Sequence, residues 1–256
     1  NIVHVDGSVN PLRDKETIDI ELQLKDLEST EKRRDKILRS AKTGNKEAQK
    51  ELLILDQIIA TLESAQNVRS IAFSEEDRLN YVNMLQLITD KPVMYICNVS
   101  EDAAISGNDF VDQIKQLVAQ ENAQVLILAV SIEADINELD SYDERQLFLE
   151  DIGLTEPGSA KLIRSAYKLL SLQTYFTAGE KEVKAWTFKK GATAPKAAGV
   201  IHTDFEKGFI CAEVTTFEDF SRFGSDQKLK EAGKIRVEGK QYIVQDGDVM
   251  HFRFNV

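Results

Sequence analysis

The residues of this sequence best suited to chemistry follow a short apolar run, Pro92 to Cys97. Asn98 comes directly after that run, and an acidic residue, Glu101, comes three positions later. A side-chain amide carries both a donor and an acceptor, so one asparagine can satisfy the N6 donor and the N7 acceptor of adenine. The same N-x-x-E pattern also fits an ordinary helix cap after a strand. The pattern therefore indicates an adenine-reading residue only if its structural context agrees.

A second candidate loop, Ser131 to Asp135, follows the next apolar run, Val125 to Val130. Between the two runs, helical spacing is found at Phe110, Ile114, Leu117 and Val118. A strand, a helix and a strand within about forty residues predict half of a doubly wound parallel sheet. Because ligands of such sheets bind beyond the carboxyl ends of the strands, we expect Asn98 and Ser131 to lie near one ligand.

The Asn98 pattern differs from the guanine-reading N-K-x-D motif of P-loop GTPases. In that motif a carboxylate accepts hydrogen bonds from N1 and N2 of guanine. Here Val99 stands in place of the lysine and Glu101 in place of the aspartate. ATP is therefore favoured over GTP, and a GTP-specific switch is the less favoured alternative.

Residues 17–66 have the spacing of two antiparallel helices joined at Gly44-Asn45. The second helix has apolar residues alternately four and three positions apart, at Ala48, Leu52, Leu55, Ile59 and Leu62. The first helix has the same rhythm at Ile20, Leu24, Leu27 and Leu38, with Glu31 and Arg34 between them. We predict a helical hairpin, well packed at its base and looser near its tip.

Basic residues are concentrated near the predicted tip of this hairpin. The stretch from Glu31 to Lys46 has two acidic residues, Glu31 and Asp35. Its seven basic residues are Lys32, Arg33, Arg34, Lys36, Arg39, Lys42 and Lys46. Each of these side chains taken singly is typical of a solvated helix face, but their concentration favours an anionic partner. The candidate partner-binding residues are Arg33, Arg34, Lys36 and Arg39.

From Leu172 onward the pattern is that of a small β-rich domain. Strand-like runs cover 182–188, 209–214, 240–244 and 249–254, and Ala194 to Ile201 fits a helix. Residues 144–172 predict connecting helices with a turn at Pro157-Gly158.

Two groups of side chains in this domain could also suggest chemistry. His202, Asp204 and Glu206 are of residue types that form metal or acid/base sites, but a structural role is favoured for them. Trp186 and Phe188 share one face of a strand, where core packing explains them better than base stacking.

Composition limits the class of protein. The net charge is −11, with 42% hydrophobic and 29% charged residues, which is typical of a globular protein. No apolar run reaches about 18 residues, so no membrane span is expected, and the start lacks the pattern of a secretory signal. Cys97 and Cys211 lack C-x-x-C spacing, so we expect two buried thiols, no metal site and a cytoplasmic location.

The chain resembles the YchF-type Obg-like ATPases along its whole length. The strings that carry the resemblance in the C-terminal part are Leu172–Gly179, Glu182–Thr187, Gly191–Pro195, Ala198–Phe209 and Tyr242–Phe252. Upstream, they are Asn1–Gly7, Asn98–Glu101 and Glu133–Asp135. The C-terminal strings are the most specific, because they match the TGS domain of that family nearly word for word.

The resemblance implies an α/β fold. It comprises a partial Ras-like doubly wound parallel sheet, an inserted antiparallel helical coiled coil and a C-terminal β-grasp (TGS) domain. The expected domain boundaries are 1–16 and 70–140 for the nucleotide-binding part, 17–69 for the arm, 141–171 for connecting helices and 172–256 for TGS.

The resemblance also implies an NTPase that uses ATP, or also GTP, with Mg²⁺ and associates with ribosomes or RNA. Asn98 would contact adenine, Val99 would line the base, Glu101 would complete the motif and Ser131 would belong to the last nucleotide loop. His4 falls on a histidine that is a candidate for positioning the attacking water, a task that a neutral imidazole can perform. A monomer without DNA specificity is expected.

Two departures from the family pattern matter. Ala129 stands where relatives often have serine at the opening of the last nucleotide loop. The phosphate-binding pattern G-x-x-x-x-G-K-[ST] does not occur in the 256 residues. We therefore expect the phosphate and Mg²⁺ sites to lie in a missing N-terminal part, and these residues alone to be inactive in hydrolysis. The alternative is a non-enzymatic RNA- or protein-binding regulatory module made of the arm and the TGS domain.

Overall fold

The computed structural model describes residues 7–121, 123–179 and 182–255. The chain divides into two compact units, Asn1–Leu162 and Ile163–Val256, and each is described by itself. Among the helices within these described residues, none combines the length and the apolar character needed to cross a membrane.

The first unit contains the predicted helical hairpin, formed by α1 (Pro11–Lys42) and α2 (Lys46–Glu63). Each helix begins with an asparagine cap: Asn10 Oδ1 accepts from Arg13 N at 3.2 Å, and Asn45 Oδ1 accepts from Ala48 N at 3.1 Å. Gly44 turns the chain with a φ of 91°, a conformation that glycine adopts without strain. The hairpin and its break are therefore confirmed.

The face that α1 buries differs from the predicted one. Ile20 and Leu24 are 43% and 59% exposed, so their assignment to the seam is wrong. The buried residues of α1 are instead Gln23, Asp26, Thr30, Ile37 and Ala41. The predicted seam positions Ala48, Leu55 and Leu62 of α2 are buried as expected.

The polar seam of α1 is explained by its partner, the irregular segment that follows α2. Asp26 accepts hydrogen bonds from the amides of Ile88 (3.0 Å) and Thr89 (2.7 Å) and from Thr89 Oγ1 (2.7 Å). A buried carboxylate is tolerated there because it is fully hydrogen-bonded. Asp26 therefore ties α1 to the segment that leads into the sheet.

That irregular segment is a series of short helical turns. They are a 3₁₀ turn (Val68–Ser70), α3 (Glu75–Asp77), a π turn (Arg78–Val82) and a second 3₁₀ turn (Asn83–Leu85). They pack on α2 in an apolar cluster of Ile54, Ile58, Leu62, Val68, Tyr81, Val82 and Leu87.

The α/β part contains β1 (Met94–Asn98), α4 (Asp109–Leu117) and β2 (Gln124–Leu128). The two strands pair in parallel, as predicted. They are followed by α5 (Val130–Glu138), α6 (Tyr142–Asp151) and α7 (Gly158–Leu169). Ile96 is 48% exposed, so the expectation that β1 is buried on both faces is wrong for the described residues, in which β1 pairs with β2 alone.

The second unit is built on a mixed sheet. Its elements are β3 (Leu172–Ala178), β4 (Val183–Lys189), α8 (Ala194–Ile201), α9 (Thr203–Lys207), β5 (Phe209–Thr216), α10 (Phe217–Phe223), α11 (Asp226–Glu231), β6 (Arg236–Glu238) and β7 (Asp248–Phe254). The described strands lie in the order β4-β3-β7-β5-β6, with β3 and β7 parallel and the other pairs antiparallel. This arrangement agrees with the predicted β-grasp domain.

One face of this sheet packs on α8. The core contains Tyr175, Phe188, Ala194, Ala197, Ala198, Phe209, Ala212, Val214, Val244, Met250 and Phe252. The bounds of α8 match the predicted helix. The predicted strand at 240–244 is wrong, since the segment makes one isolated bridge, Ile243 to Thr193, and the strand β3 was not predicted.

Candidate nucleotide-base site

The carboxyl ends of β1 and β2 meet at Asn98. Asn98 lies opposite Leu128 in the parallel register, and the next amide, Val99 N, donates to Leu128 O at 2.8 Å. Asn98 Oδ1 accepts a hydrogen bond from Val130 N, the first amide of α5, at 3.2 Å. This bond orients the side-chain amide of Asn98 across the two strand ends. The amide NH₂ of Asn98 has no acceptor among the described residues, so it remains able to donate to a ligand.

The structure corrects the predicted loop after β2. Because α5 begins at Val130, Ser131 to Asp135 are helical, and the loop interpretation is wrong. Ala129 stands at the cap position with φ −113° and ψ 104° and gives no side-chain cap. The early amides of a helix have no acceptor within the helix, so backbone donors are still present beside Asn98. Ser131 is exposed in this first turn.

Glu133, which carries part of the family resemblance, has a structural role here. Its carboxylate accepts from Gly158 N at 2.6 Å and from Ser159 N at 2.9 Å. An acidic group that accepts from the first amides of a helix stabilises its N-terminus. Glu133 therefore holds the start of α7.

Glu101 opens a short 3₁₀ turn (Glu101–Ala103) directly after the strand end. Its side chain is exposed, and within the described residues it has no hydrogen-bond or ion-pair partner. Val99 is half-buried beside it. The predicted base-site residues thus follow two neighbouring strand ends: Asn98, Val99 and Glu101 that of β1, and Ser131 that of β2. Asn98 connects the two ends through its hydrogen bond from Val130 N.

A pocket of about 310 Å³ opens beside Asn98. A cavity of about 150 Å³ can hold benzene, so this pocket has room for a purine base. Its walls include Val9, Tyr95, Cys97, Asn98, Val99 and Phe110.

Cys97 and Phe110 were not predicted as members of this site. The prediction of two buried thiols is wrong, because Cys97 and Cys211 are both half-buried, although partial burial still raises the pKa of the Cys97 thiol. Phe110 was assigned to the core face of α4, but it is 43% exposed, since the buried stripe of α4 runs through Val111 and Ile114. The spacing of Val111 and Ile114, three positions apart, is the sequence pattern that could have indicated this buried stripe.

An ionic network holds β1 against the start of α1. Lys15 Nζ lies 2.6 Å from Asp19 and 2.7 Å from Glu121, and Tyr95 donates to Glu121 at 2.8 Å. Burial alone would lower the pKa of Lys15, but hydrogen bonds to Asp19, Glu121 and Tyr95 outweigh it and raise the pKa. This fixed cation forms one wall of the pocket.

The remaining predicted residues lie elsewhere. His4 lies outside the described residues. On the arm, Arg33 Nε lies 2.6 Å from Glu51 and Arg34 Nε lies 2.5 Å from Asp56, so both arginines pair across the hairpin. Lys36 and Arg39 are exposed and make no ion pair within the described residues.

A serine at position 129 is expected to stabilise the first unit by about 0.5–1 kcal/mol, because serine caps a helix better than alanine. Ala129 is 5% exposed, so the new hydroxyl must bond to an early amide of α5 to be tolerated. Urea unfolding of Ala129→Ser measures the effect. The exposed Ala134→Ser, inside α5, is the control and should give no gain. A loss of stability in Ala129→Ser would contradict the cap geometry.

Comparisons with known proteins show which proteins this chain is similar to. A family model described as "YchF-GTPase_C: Protein of unknown function (DUF933)" matches residues 172–255. The "Ribosome-binding ATPase YchF" of Haemophilus ducreyi is 53% identical over 256 residues, covering 100% of this chain and 70% of the relative. That of Bacillus subtilis is 50% identical over 258 residues, with the same coverage.

More distantly related proteins also match nearly the whole of this chain. "Obg-like ATPase 1" of Pongo abelii is 40% identical over 260 residues, covering 100% of this chain and 65% of the relative. The solved structure of the Schizosaccharomyces pombe YchF GTPase superposes with a TM-score of 0.85 at 32% identity, covering 99% of this chain and 68% of that one.

Proposed function

Because the chain belongs to the YchF family of Obg-like ATPases, we propose that it forms the base-binding half of an ATP site in a ribosome-associated ATPase. The observation that carries the proposal is the hydrogen bond from Val130 N to Asn98 Oδ1, which joins the ends of β1 and β2. We further propose that residues 1–16 and 70–140 form the nucleotide-binding part, 17–69 the arm, 141–171 the connecting helices and 172–256 the TGS domain.

Asn98 is the proposed adenine reader. Its Oδ1 has two lone pairs, and one of them accepts from Val130 N, which leaves the other for the N6 amino group of adenine. Its NH₂ group then donates to N7, so the two bonds form a bidentate pair. Since the bond to Val130 orients the amide before the ligand arrives, little side-chain entropy is lost on binding.

The neighbouring residues complete the proposed base site. Val99, Cys97 and Phe110 present an apolar surface to the ring, as is usual in ligand pockets that also contain a few placed polar groups. Glu101 and Ser131 are exposed, and we propose that they contact the base as well.

The phosphates are proposed to lie beyond this half-site. Among the described residues, no cluster of three or more His, Cys, Asp or Glu side chains could hold a metal ion. Mg²⁺ is proposed to be held mainly by the phosphates, where it would neutralise charge on the transferred phosphoryl group. The proposed task of His4 is to position the attacking water.

Calorimetric titration of the full-length protein with ATP and with GTP tests the nucleotide proposal. Tighter binding of ATP supports the adenine assignment. Equal binding, or a preference for GTP, would instead favour the guanine-reading alternative. Absence of binding to both nucleotides would leave the arm and TGS domain as a binding module without nucleotide control.

The ribosome contact is proposed to involve the tip of the arm. The exposed basic residues there that make no ion pair within the described residues are Lys36, Arg39, Lys42 and Lys46. Arg33 and Arg34 form ion pairs with Glu51 and Asp56, which partly neutralise their charge. The cations best able to meet RNA phosphates are therefore Lys36 and Arg39 of the original candidates, with Arg33 and Arg34 contributing less.

Reversing the charge at Lys36 and Arg39 together is expected to weaken ribosome binding by about tenfold or more at low salt, because phosphate contacts are lost and like charges introduced. Co-sedimentation with ribosomes at several salt concentrations measures the change. The matched control is Lys161→Glu with Lys168→Glu, which alters the net charge equally at exposed positions of α7. If both double variants bind ribosomes like the unaltered protein, the tip is not the contact.

A further inference from the structure

The second unit has a pocket of about 220 Å³ on the sheet face turned away from its core. Along β5 and β7, Val214, Met250 and Phe252 belong to the core. Because side chains alternate along a strand, the residues between them point to the opposite face. The pocket is bounded there by β5 and β7 and on its other side by α10, α11 and Ile235.

The charged groups of this pocket are balanced in sign. The sheet contributes Glu213 and Arg253, which pair with each other. Asp226 and Lys230, four residues apart on α11, contribute the second pair of charges. Within the described residues, the side chains of Asp226 and Lys230 have no hydrogen-bond or ion-pair partner. A purely anionic or purely cationic ligand would meet an equal number of like charges, whereas a zwitterion would meet complementary charges at both ends.

The floor of the pocket contains a buried polar group. Thr215 lines the pocket and is 6% exposed, and among the described residues its Oγ1 has no hydrogen-bond partner. A buried hydroxyl without a partner is costly, and such groups in native proteins usually have a bound partner such as water or a ligand. A small polar ligand in this pocket would provide that partner.

The size and the apolar lining narrow the class of ligand. The pocket is only moderately larger than a cavity of about 150 Å³ that holds benzene, so a nucleoside triphosphate does not fit. Phe220, Ile235 and Val249 provide an apolar wall. The ligand should therefore combine both charges with a short hydrocarbon group.

We propose that this pocket binds a free α-amino acid with an apolar side chain. Its carboxylate faces Lys230 and Arg253, its ammonium group faces Asp226 and Glu213, and its side chain packs on Phe220 and Ile235. Thr215 Oγ1 hydrogen-bonds to the carboxylate. The site is separate from the nucleotide proposal, because all of its residues belong to the second unit.

Amide chemical-shift NMR of the full chain, titrated with L-leucine, L-valine and L-methionine, tests the proposal. Saturable shifts at residues 213–215, 226–230 and 249–253 are expected for at least one of the three. Isocaproate and isoamylamine each retain one charge of leucine, and both should bind at least about tenfold more weakly than the amino acid. Equal binding of either compound, or no saturable shift with any of the three amino acids, overturns the proposal.

Variants on α11 give the second part of the test. Asp226→Asn and Lys230→Gln lie at exposed positions and should fold normally, yet each should raise the Kd by about tenfold. Lys228→Gln, on the same helix but outside the pocket lining, should bind like the unaltered chain. Equal weakening by Lys228→Gln, or no weakening by either pocket variant, would also overturn the proposal.

Discussion

Replacing Asn98 with alanine is expected to weaken ATP binding by the full-length protein by about 5- to 150-fold. A bidentate amide contact to adenine is worth about 1–3 kcal/mol of discrimination. The alanine also removes the bond from Asn98 to Val130 N, so the two strand ends lose the link that orients the site. Calorimetry with ATP measures the loss of affinity. Binding of ADP should fall by a similar factor, because the proposed contact is to the base and not to the phosphates.

The control for this variant is Asn45→Ala. Asn45 also accepts a bond from a helix-start amide, Ala48 N at 3.1 Å, but it lies at the turn of the arm. Both variants should lose similar stability from the missing cap, about 1 kcal/mol, while only Asn98→Ala loses nucleotide affinity. If the two variants bind ATP equally well, Asn98 is a structural cap and the base is recognised by other groups.

Much of this site could be predicted from sequence because its position depends on topology. An apolar run, a helical segment and a second apolar run require two parallel strands, and parallel strands end at the same edge of the sheet. Asn98 follows the first run directly, so its place was determined before any side-chain detail. The bounds of α8 were predictable for a similar local reason, since Thr193, Pro195 and the small residues after them favour a helix start.

Other features depend on contacts between distant segments and could not be read from local pattern. The segment from Ser131 to Asp135 has a polar composition typical of a loop, but it is helical. Asn98 accepts a hydrogen bond from the first amide of α5, and Glu133, on α5, accepts one from the first amide of α7. Phe110 has core-like spacing with Ile114, yet Val111 takes the buried position. In the first case the hydrogen-bond partners lie more than twenty residues apart in sequence. In the second case the packing of the helix face decides which side chain is buried.

The buried face of α1 is the largest difference from the predicted structure. Apolar periodicity favoured Ile20 and Leu24, but a polar stripe that includes Asp26 is buried instead. A buried carboxylate is stable only where donors surround it, and the donors here, Ile88 and Thr89, are more than sixty residues away in sequence. Hydrophobic pattern alone therefore placed Ile20 and Leu24 wrongly, although Leu27 does pack against the apolar cluster.

Asp26→Ala is expected to destabilise the first unit by about 3–5 kcal/mol, because it leaves the amides of Ile88 and Thr89 and the hydroxyl of Thr89 without their acceptor in a buried position. Urea unfolding measures the stability, and hydrogen exchange at the Thr89 amide reports the local loss. Asp35→Ala, an exposed acidic position on the same helix, should change stability by about 0.5 kcal/mol or less. Asp26→Asn keeps one acceptor oxygen and should fall between the two. Similar stability of Asp26→Ala and Asp35→Ala would mean that the seam does not depend on this carboxylate. A large loss confined to Asp26→Ala would show that one side chain holds the arm to the segment leading into β1, and thus to Asn98.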